Sequence, residues 1–254
     1  MKDADFQLYA DLLKTRSGLV IGPDKVYLLE SRLLPIARRE ELGDLSGLAD
    51  AIRTKRPEAL IAAGTEAMTT NESFFFRDIR PFDQFRDHVL PAVMSARNAH
   101  KKIRIWSAAC SSGQEPYSLA MILKELGPKV AGWTFEIVAT DLSAQMVRRA
   151  KEGVYTQFEV QRGLPITMLV KYFKQEGDKW RITDDIRRMV PYREFNLLGD
   201  YSGLGQFDIV FCRNVLIYFD LATKGEVLGR VSRCLPDDGF LFLGGAETVL
   251  GISQ

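Results

Sequence analysis

Residues 102–123 read KIRIWSAACSSGQEPYSLAMIL, and this stretch decides the fold class. A short β-branched and aromatic run, 102–106, leads into a loop of small residues, 107–113. A helical pattern follows, with Pro116 near its first turn, where proline is favoured. Three later runs also have the character of strands, and helical patterns separate most of the four: FEIVAT (135–140), FDIVFC (207–212) and GFLFLGG (239–245). Alternating buried strands and helices predict an α/β fold with a mainly parallel, doubly wound sheet.

The residues before this region have a helical pattern without a strand signal. Phe6, Tyr9, Leu12 and Leu13 recur at spacings of three and four. Glycine and proline residues divide the pattern into several short helices. We therefore predict an all-α domain over 1–68 and an α/β domain over 69–254. Within the second domain, a turn at Glu176-Gly177-Asp178 between two aromatic or β-branched segments predicts an inserted antiparallel β-subdomain at about 158–195.

Composition and charge narrow the class of protein. Hydrophobic residues make up 46% of the chain and charged residues 26%, which is a normal globular mix, and the net charge is +1. A net charge this small does not produce the global positive field expected of a non-specific nucleic-acid binder. The three cysteines lack metal-ligand spacing and suit a reducing compartment. Without a signal-peptide pattern or a run near the roughly 20 apolar residues of a membrane span, we predict a soluble cytoplasmic protein with no metal, no nucleic-acid partner and no membrane insertion.

The loop at 107–113 is the first candidate for a ligand site, because ligands of such sheets bind beyond the carboxyl ends of the strands. It contains a single glycine, so the dinucleotide fingerprint is absent. Glu115 at the start of the following helix would repel a pyrophosphate and attract an ammonium group. The loop, with Ala108 and Gly113 against the ligand, thus suits a cationic ligand without phosphate, such as S-adenosylmethionine (SAM). The alternative is a tight strand–helix turn that binds no ligand.

Polar residues also follow the next two strands. Asp141 ends the second strand, where a carboxylate can accept hydrogen bonds from both ribose hydroxyls; the alternative is that it caps the helix from Ser143 onward. Arg213 and Asn214 directly follow the third strand and should face the same crevice, unless they only cap the sheet edge. Together with the first loop, these residues favour a ligand that contains a nucleoside.

Four motifs in order carry a resemblance to a known family: TTNESFFFR (69–77), WSAACSSGQEPYSLA (106–120), ATDLS (139–143) and CRNVLIYFD (212–220). With them, nearly the whole chain resembles the CheR family of chemoreceptor glutamate methyltransferases. The resemblance implies a small all-α domain joined to a SAM-dependent methyltransferase domain, Rossmann-like, with a small antiparallel β-subdomain. It also implies methyl transfer from SAM to glutamate side chains of bacterial chemoreceptors in chemotaxis, giving glutamyl methyl esters and S-adenosylhomocysteine.

The resemblance implies a set of cofactor contacts, which are Asn71, Ser73, Arg77, Ala108, Gly113, Glu115, Asp141, Asn196, Leu197, Arg213 and Asn214. Ser73 stands where the family usually has threonine, and Gln114 replaces an acidic residue of the family motif. Arg77 and Tyr218 are the predicted catalytic residues, which orient the incoming carboxylate or the methionine end of SAM. A glutamate with a pKa near 4.3 is already ionised at pH 7, so no general base is required.

The implied partner is the cytoplasmic helical signalling domain of a chemoreceptor, bound by the protein as a monomer. Its N-terminal helices are expected to dock there, with Arg32, Arg38 and Arg39 as candidate contacts. The short hairpin turn KQEGDKW (174–180) predicts independence from the receptor's C-terminal pentapeptide. The alternatives are a SAM-dependent methyltransferase of RNA or a small molecule, and a SAM-binding regulatory module without catalysis.

The chain stops at GAETVLGISQ (245–254), where family members generally continue through a segment that completes the sheet. We therefore expect a longer protein, either because the sequence is truncated here or because it continues into another module.

Overall fold

A computed structural model describes residues 1–55 and 57–252 of the chain. The predicted domains, 1–68 and 69–254, also include residues 56, 253 and 254, which lie outside the described ones. The chain forms two compact units. The first combines residues 1–70 with 218–225, and the second combines 71–217 with the residues from 226 onward.

The first unit is helical, as predicted. Tyr9 and Leu13, two of the residues at helical spacing, are 1% and 2% exposed and belong to the same hydrophobic core as buried Leu29 and Leu33. Gly18, with a φ of 77°, adopts the left-handed conformation that ends the first helix at little steric cost. The helices within residues 1–55 and 57–70 are α1 (Asp3–Ser17), a 3-10 turn (Pro23–Lys25), α2 (Val26–Arg39), α3 (Leu45–Lys55) and α4 (Glu58–Met68).

A short segment from late in the sequence, 218–225, completes this first unit. The Val20 N–H donates to the carbonyl oxygen of Tyr218 at 3.0 Å. The Lys14 ammonium lies 2.7 Å from an Asp220 carboxylate oxygen, and this contact lowers the pKa of Asp220 below its usual range. The segment is therefore held by both a backbone hydrogen bond and an ion pair.

The second unit contains the main sheet. Its described strands run in the order β6-β2-β1-β7-β8, and every pairing between them is parallel. The predicted fold class is confirmed, because four of these strands are the four predicted ones. The remaining elements, in chain order, are α5 (Arg80–Gln84), a π-helical turn (Phe85–Val89), α6 (Leu90–Ala96), β1 (Lys102–Ser107), α7 (Gln114–Leu126), a 3-10 turn (Gly127–Val130), β2 (Thr134–Asp141), α8 (Ala144–Glu152), β3 (Val154–Thr156), α9 (Gln157–Gln161), α10 (Ile166–Tyr172), β4 (Phe173–Glu176), β5 (Lys179–Ile182), α11 (Asp184–Arg187), β6 (Tyr192–Glu194), β7 (Ile209–Cys212), a 3-10 turn (Leu216–Tyr218), α12 (Leu221–Arg233) and β8 (Phe240–Leu243).

Strand β1 is central, and the chain continues from it to β2 on one side and later to β7 on the other. Its Trp106 is fully buried, and the indole Nε1–H donates to the Thr140 hydroxyl at 2.9 Å. The ring stacks on Phe207, with centroids 5.4 Å apart. Because the strand order reverses at β1, a crevice is expected beyond its carboxyl end.

The small antiparallel sheet has the order β3-β5-β4. Strands β4 and β5 form the expected hairpin, joined by the two residues Gly177 and Asp178. The sheet begins at Val154, before the predicted start of the insertion at about 158, and Tyr192–Glu194 pairs with β2 in the main sheet. Runs of three residues are too short to show the alternation that marks a strand in a sequence.

Two of the three phenylalanines of the motif TTNESFFFR anchor it in the core. Phe75 is fully buried, and its ring packs edge-on against Tyr155 and Phe173, with centroids 5.0 and 5.5 Å away. Phe76 packs edge-on against Phe82 at 5.4 Å. These contacts fix residues 71–78, which we call the junction strip, to the second unit.

The third ring, Phe74, has a different environment. It is half-buried, with the guanidinium groups of Arg162 and Arg77 at 4.2 and 5.5 Å from its centroid. The next residue after Arg162 is Gly163, with a φ of 84°, and a Cβ there would lie 2.1 Å from the Phe75 carbonyl oxygen. The strip therefore has an aromatic side in the core and a second side that faces cations.

This division predicts unequal effects on stability. Phe75→Ala should lower the free energy of unfolding by about 3–5 kcal/mol, since it removes a fully buried aromatic ring. Phe74→Ala, the matched control on the adjacent residue, should cost about 1 kcal/mol, the scale of a partly exposed cation–π contact. Urea unfolding measures both; equal losses would contradict the assignment of Phe75 to the core.

Candidate functional site

Several predicted site residues of the second unit lie just beyond the carboxyl ends of β1, β2 and β7. At the centre lies a buried ion pair. The Glu115 carboxylate accepts hydrogen bonds from the Ser107 hydroxyl at 2.8 Å and from Arg213 Nη1 at 2.9 Å. Burial raises the pKa of Glu115, while the Arg213 charge and the Ser107 hydrogen bond act in the opposite direction. The helix start at α7 is thus joined to the loop after β7.

Arg213 extends this network to the junction strip. Its Nη2 donates to the carbonyl oxygen of Arg77 at 2.9 Å and to the Asp78 carboxylate at 2.8 Å. Its Nε is buried without a hydrogen-bond partner among the described residues. The guanidinium therefore holds three parts of the chain together, while its predicted contact with the cofactor stays a prediction.

Asp141 holds the loop after β1. One carboxylate oxygen accepts from the Ser111 N–H at 2.7 Å, and the other accepts from the Ser143 N–H at 2.9 Å. The Ser111 hydroxyl in turn donates to the carbonyl oxygen of Asn71 at 2.9 Å. Ser143, whose side chain accepts from the Met146 N–H, is itself the N-cap of α8. Asp141 therefore fixes two backbone segments beside the position where a nucleoside is expected.

Gly113 and Ala108 form the close-approach part of this loop. Gly113 has a φ of 95°, and a Cβ there would lie 2.8 Å from the Tyr192 hydroxyl and 3.0 Å from Ala150 Cβ. Glycine is required at this position by both conformation and space. Ala108 is buried, and its N–H donates to the Phe211 carbonyl at 2.8 Å. At these two residues the backbone, and not a large side chain, lies next to the crevice.

The remaining predicted cofactor residues also lie in the second unit. Asn196 and Leu197 follow β6, at the same edge of the sheet. The side-chain oxygen of Asn196 accepts a hydrogen bond from the Leu198 N–H at 2.9 Å, and the Leu197 side chain is buried. Asn71 and Ser73 of the junction strip are half-buried. Tyr218 is half-buried in the segment that belongs to the first unit, so its catalytic role stays a prediction.

Two acidic residues of this region were not among the predicted site residues. Asp78 binds Arg213, and its adjacency to Arg77 in the motif was the available signal. Glu247 accepts hydrogen bonds from backbone N–H groups after β7, including that of Asn214 at 2.8 Å. No spacing rule connects a lone glutamate to a loop more than 30 residues earlier, so the sequence offered no signal for it.

The described residues contain neither a membrane-spanning helix nor a metal-binding cluster. Within 1–55 and 57–252, no helix has both the length and the apolar character to cross a membrane. Over the same residues, no group of three or more histidine, cysteine, aspartate or glutamate side chains is placed to hold a metal ion.

Comparison with known proteins places both parts of the chain. The family model described as "CheR methyltransferase, SAM binding domain" matches residues 71–254, and the one described as "CheR methyltransferase, all-alpha domain" matches residues 4–69. The chain is 44% identical to chemotaxis protein methyltransferase 1 of Pseudomonas aeruginosa, covering 97% of this chain and 91% of the relative. Chemotaxis protein methyltransferase Cher2 of Pseudomonas putida is 40% identical (98% and 91%), and chemotaxis protein methyltransferase 1 of Vibrio cholerae is 39% identical (100% and 92%).

The buried ion pair predicts a pH-dependent variant. Arg213→Met leaves Glu115 without its cation and should lower the free energy of unfolding by about 3–5 kcal/mol near pH 8. A carboxyl whose folded-state pKa is raised contributes stability below its unfolded pKa and loses it as pH rises through the folded pKa. Without Arg213 this pKa rises further, so the variant's deficit should shrink at about pH 5.

Urea unfolding at both pH values measures the effect. The matched variant is Arg213→Met combined with Glu115→Gln, which removes the unpaired charge and should recover part of the stability lost near pH 8. A deficit that is equal at the two pH values would contradict the prediction.

Proposed function

The chain belongs to the CheR methyltransferase family, and we propose that it methylates glutamate side chains of chemoreceptors with SAM as the methyl donor. Family models match the helical residues 4–69 and the α/β residues 71–254, and relatives at 39–44% identity over nearly the full length are chemotaxis protein methyltransferases. This full-length match to both domains is the observation that carries the proposal. The products are glutamyl methyl esters and S-adenosylhomocysteine.

The crevice residues fit SAM. A single glycine, Gly113, and the carboxylate of Glu115 at the start of α7 suit a cationic ligand better than a phosphate. Arg213 Nε is a buried donor with no partner among the described residues, and Asp141 ends β2, where a carboxylate binds ribose hydroxyls in related folds. We therefore assign the binding of SAM to the predicted cofactor residues, which are Asn71, Ser73, Arg77, Ala108, Gly113, Glu115, Asp141, Asn196, Leu197, Arg213 and Asn214.

The chain's own contribution to the reaction is alignment and the exclusion of water. SAM, when bound, supplies an activated methyl group on a positively charged sulfur. The acceptor glutamate, with a pKa of about 4.3, is ionised at pH 7, so no residue has to remove a proton. Arg77 is half-buried, and its Nη1 donates to the carbonyl oxygen of Glu72 at 2.9 Å. We assign Arg77, together with Tyr218, the orientation of the acceptor carboxylate.

The proposed partner is the cytoplasmic helical signalling domain of a chemoreceptor, which places the protein's action in the cytoplasm. Of the three candidate docking cations on α2, Arg32 is used within the first unit: its Nη1 donates to the Met68 and Thr69 carbonyl oxygens at 2.7 and 3.1 Å. Arg39 bonds its neighbour Glu40 at 2.9 Å. Arg38 is exposed in the last turn of α2 and is our first choice for a receptor contact. We propose that the protein acts as a monomer and without nucleic acid.

Incubation with SAM labelled in its methyl group and purified receptor cytoplasmic fragments tests the function. We expect label in the fragment that is released as methanol by mild base, which is diagnostic of an ester. A receptor fragment with its candidate glutamates changed to alanine is the control. Base-stable label, or transfer to RNA or a small molecule only, would indicate another substrate; SAM binding without any transfer would indicate a regulatory module.

The assignment of Arg77 predicts a catalytic variant. Arg77→Ala should lower kcat/KM for the receptor fragment by about 100-fold, because misplacement of reacting groups by about 1 Å has this effect. The thermal midpoint should stay near that of the wild type. Arg80→Ala, an exposed arginine three residues along the chain, is the matched control and should leave the rate unchanged. An unchanged rate for Arg77→Ala would refute the assignment.

The hairpin between β4 and β5 predicts that the receptor's C-terminal pentapeptide is not required. Its two-residue turn, Gly177-Asp178, lacks the longer glycine-bearing loop of tethering members. Calorimetric titration with such a pentapeptide should show no binding, and receptor fragments with and without it should be methylated at equal rates. Tight binding in the titration would overturn this prediction.

A further inference from the structure

Glu247 occupies a row of backbone N–H groups directly after β7. The two oxygens of its carboxylate are both engaged by main-chain donors inside the second unit. The donors are Asn214 N at 2.8 Å, Gly244 N at 2.6 Å, Val215 N at 2.9 Å, Leu216 N at 2.7 Å and Ile217 N at 3.4 Å. Successive N–H groups that converge in this way form an anion-binding concavity, and here the chain's own carboxylate fills it.

The row of donors begins at Asn214, the predicted cofactor residue. Asn214 has a φ of 58°, in the left-handed region that residues other than glycine adopt infrequently. A backbone in this region persists where its surroundings hold it there. The hydrogen bond from Asn214 N to Glu247 is such a restraint, and it sets the direction in which the Asn214 side chain leaves the main chain.

Gly244 leaves the space that Asn214 occupies on its other side. Leu243 of β8 pairs with Cys212 of β7, so Gly244 follows the pair just as Arg213 does. A Cβ on Gly244 would lie 2.7 Å from Asn214 Nδ2, 2.8 Å from Asn214 N and 2.7 Å from a Glu247 oxygen. The absence of a side chain at 244 therefore leaves the space in which the Asn214 amide lies.

We propose that Glu247 is a positioning residue for cofactor binding, which acts by holding Asn214 in the conformation that contacts SAM. This inference rests on the function and the cofactor set proposed above. A carboxylate is needed because it presents only acceptors to the converging N–H groups. A glutamine would turn an NH₂ donor toward some of them, and the loop 214–217 would have to move to relieve the repulsion.

Calorimetric titration with S-adenosylhomocysteine measures the effect without turnover. Glu247→Gln should raise the Kd at least about tenfold, and the KM for SAM should rise by more than kcat falls. The matched control is Glu226→Gln on α12, which removes a largely exposed carboxylate paired with Arg230 at 3.3 Å; its Kd should equal that of the wild type. Gly244→Ala, whose Cβ would press on both Asn214 and the Glu247 carboxylate while leaving the glutamate in the chain, should also raise the Kd and serves as the test if Glu247→Gln does not fold.

A double-mutant cycle separates positioning from general stability. If Glu247 acts through Asn214, then Glu247→Gln should add little to the Kd once Asn214→Ala is present, so the two effects are not additive. A purely structural role would lower the thermal midpoint and leave the Kd unchanged, or would give additive effects; either result overturns the inference. Failure of the wild type itself to bind S-adenosylhomocysteine would instead refute the proposed function.

Discussion

Two opposite charges, Glu115 and Arg213, are buried against each other where the strand order of the main sheet reverses. Removing both from water costs several kcal/mol per ion, and their mutual attraction offsets this only if the remaining donors and acceptors are also bonded. Here the Ser107 hydroxyl, the Arg77 carbonyl and the Asp78 carboxylate supply most of those bonds, and Arg213 Nε is the donor left without a partner among the described residues. The ion pair and its hydrogen bonds therefore hold three segments together: the start of α7, the loop after β7 and the junction strip.

The junction strip shows what this arrangement holds in place. Phe76, Asp78 and Ile79 have φ values of 52°, 70° and 49°, a left-handed conformation that costs roughly 1–3 kcal/mol at each non-glycine residue. The buried rings of Phe75 and Phe76 fix one end of this strained segment, and Arg213 fixes the other. These positive φ values turn the backbone after Phe76. As a result the Arg77 side chain is only half-buried, while its carbonyl oxygen accepts the hydrogen bond from Arg213.

Sequence patterns predicted those features that depend on neighbours in the chain. The four longer strands were evident because each is a continuous apolar run, and the loop at 107–113 because small residues lie between a strand and a helix. Strand β6 was missed, since three residues carry no periodicity. The sequence named Arg32 as one of three candidate receptor contacts, and it contained no sign that this side chain bonds the end of α4, 36 residues away. Glu247 and Asp78 depend on contacts across 33 and 135 residues, which no local pattern contains.

The return of residues 218–225 to the helical unit has a consequence for how this fold can be recombined. The unit is discontinuous in sequence, because almost 150 residues separate its two segments. Lys14 and Val20 of the first segment bond Asp220 and Tyr218 of the second. A hybrid that takes only the first 70 residues from a relative would pair one protein's helices with another's 218–225 segment. Transfer of the complete helical unit from one relative to another therefore requires three crossovers in the gene, at 70/71, 217/218 and 225/226, so that the second segment is transferred together with the first.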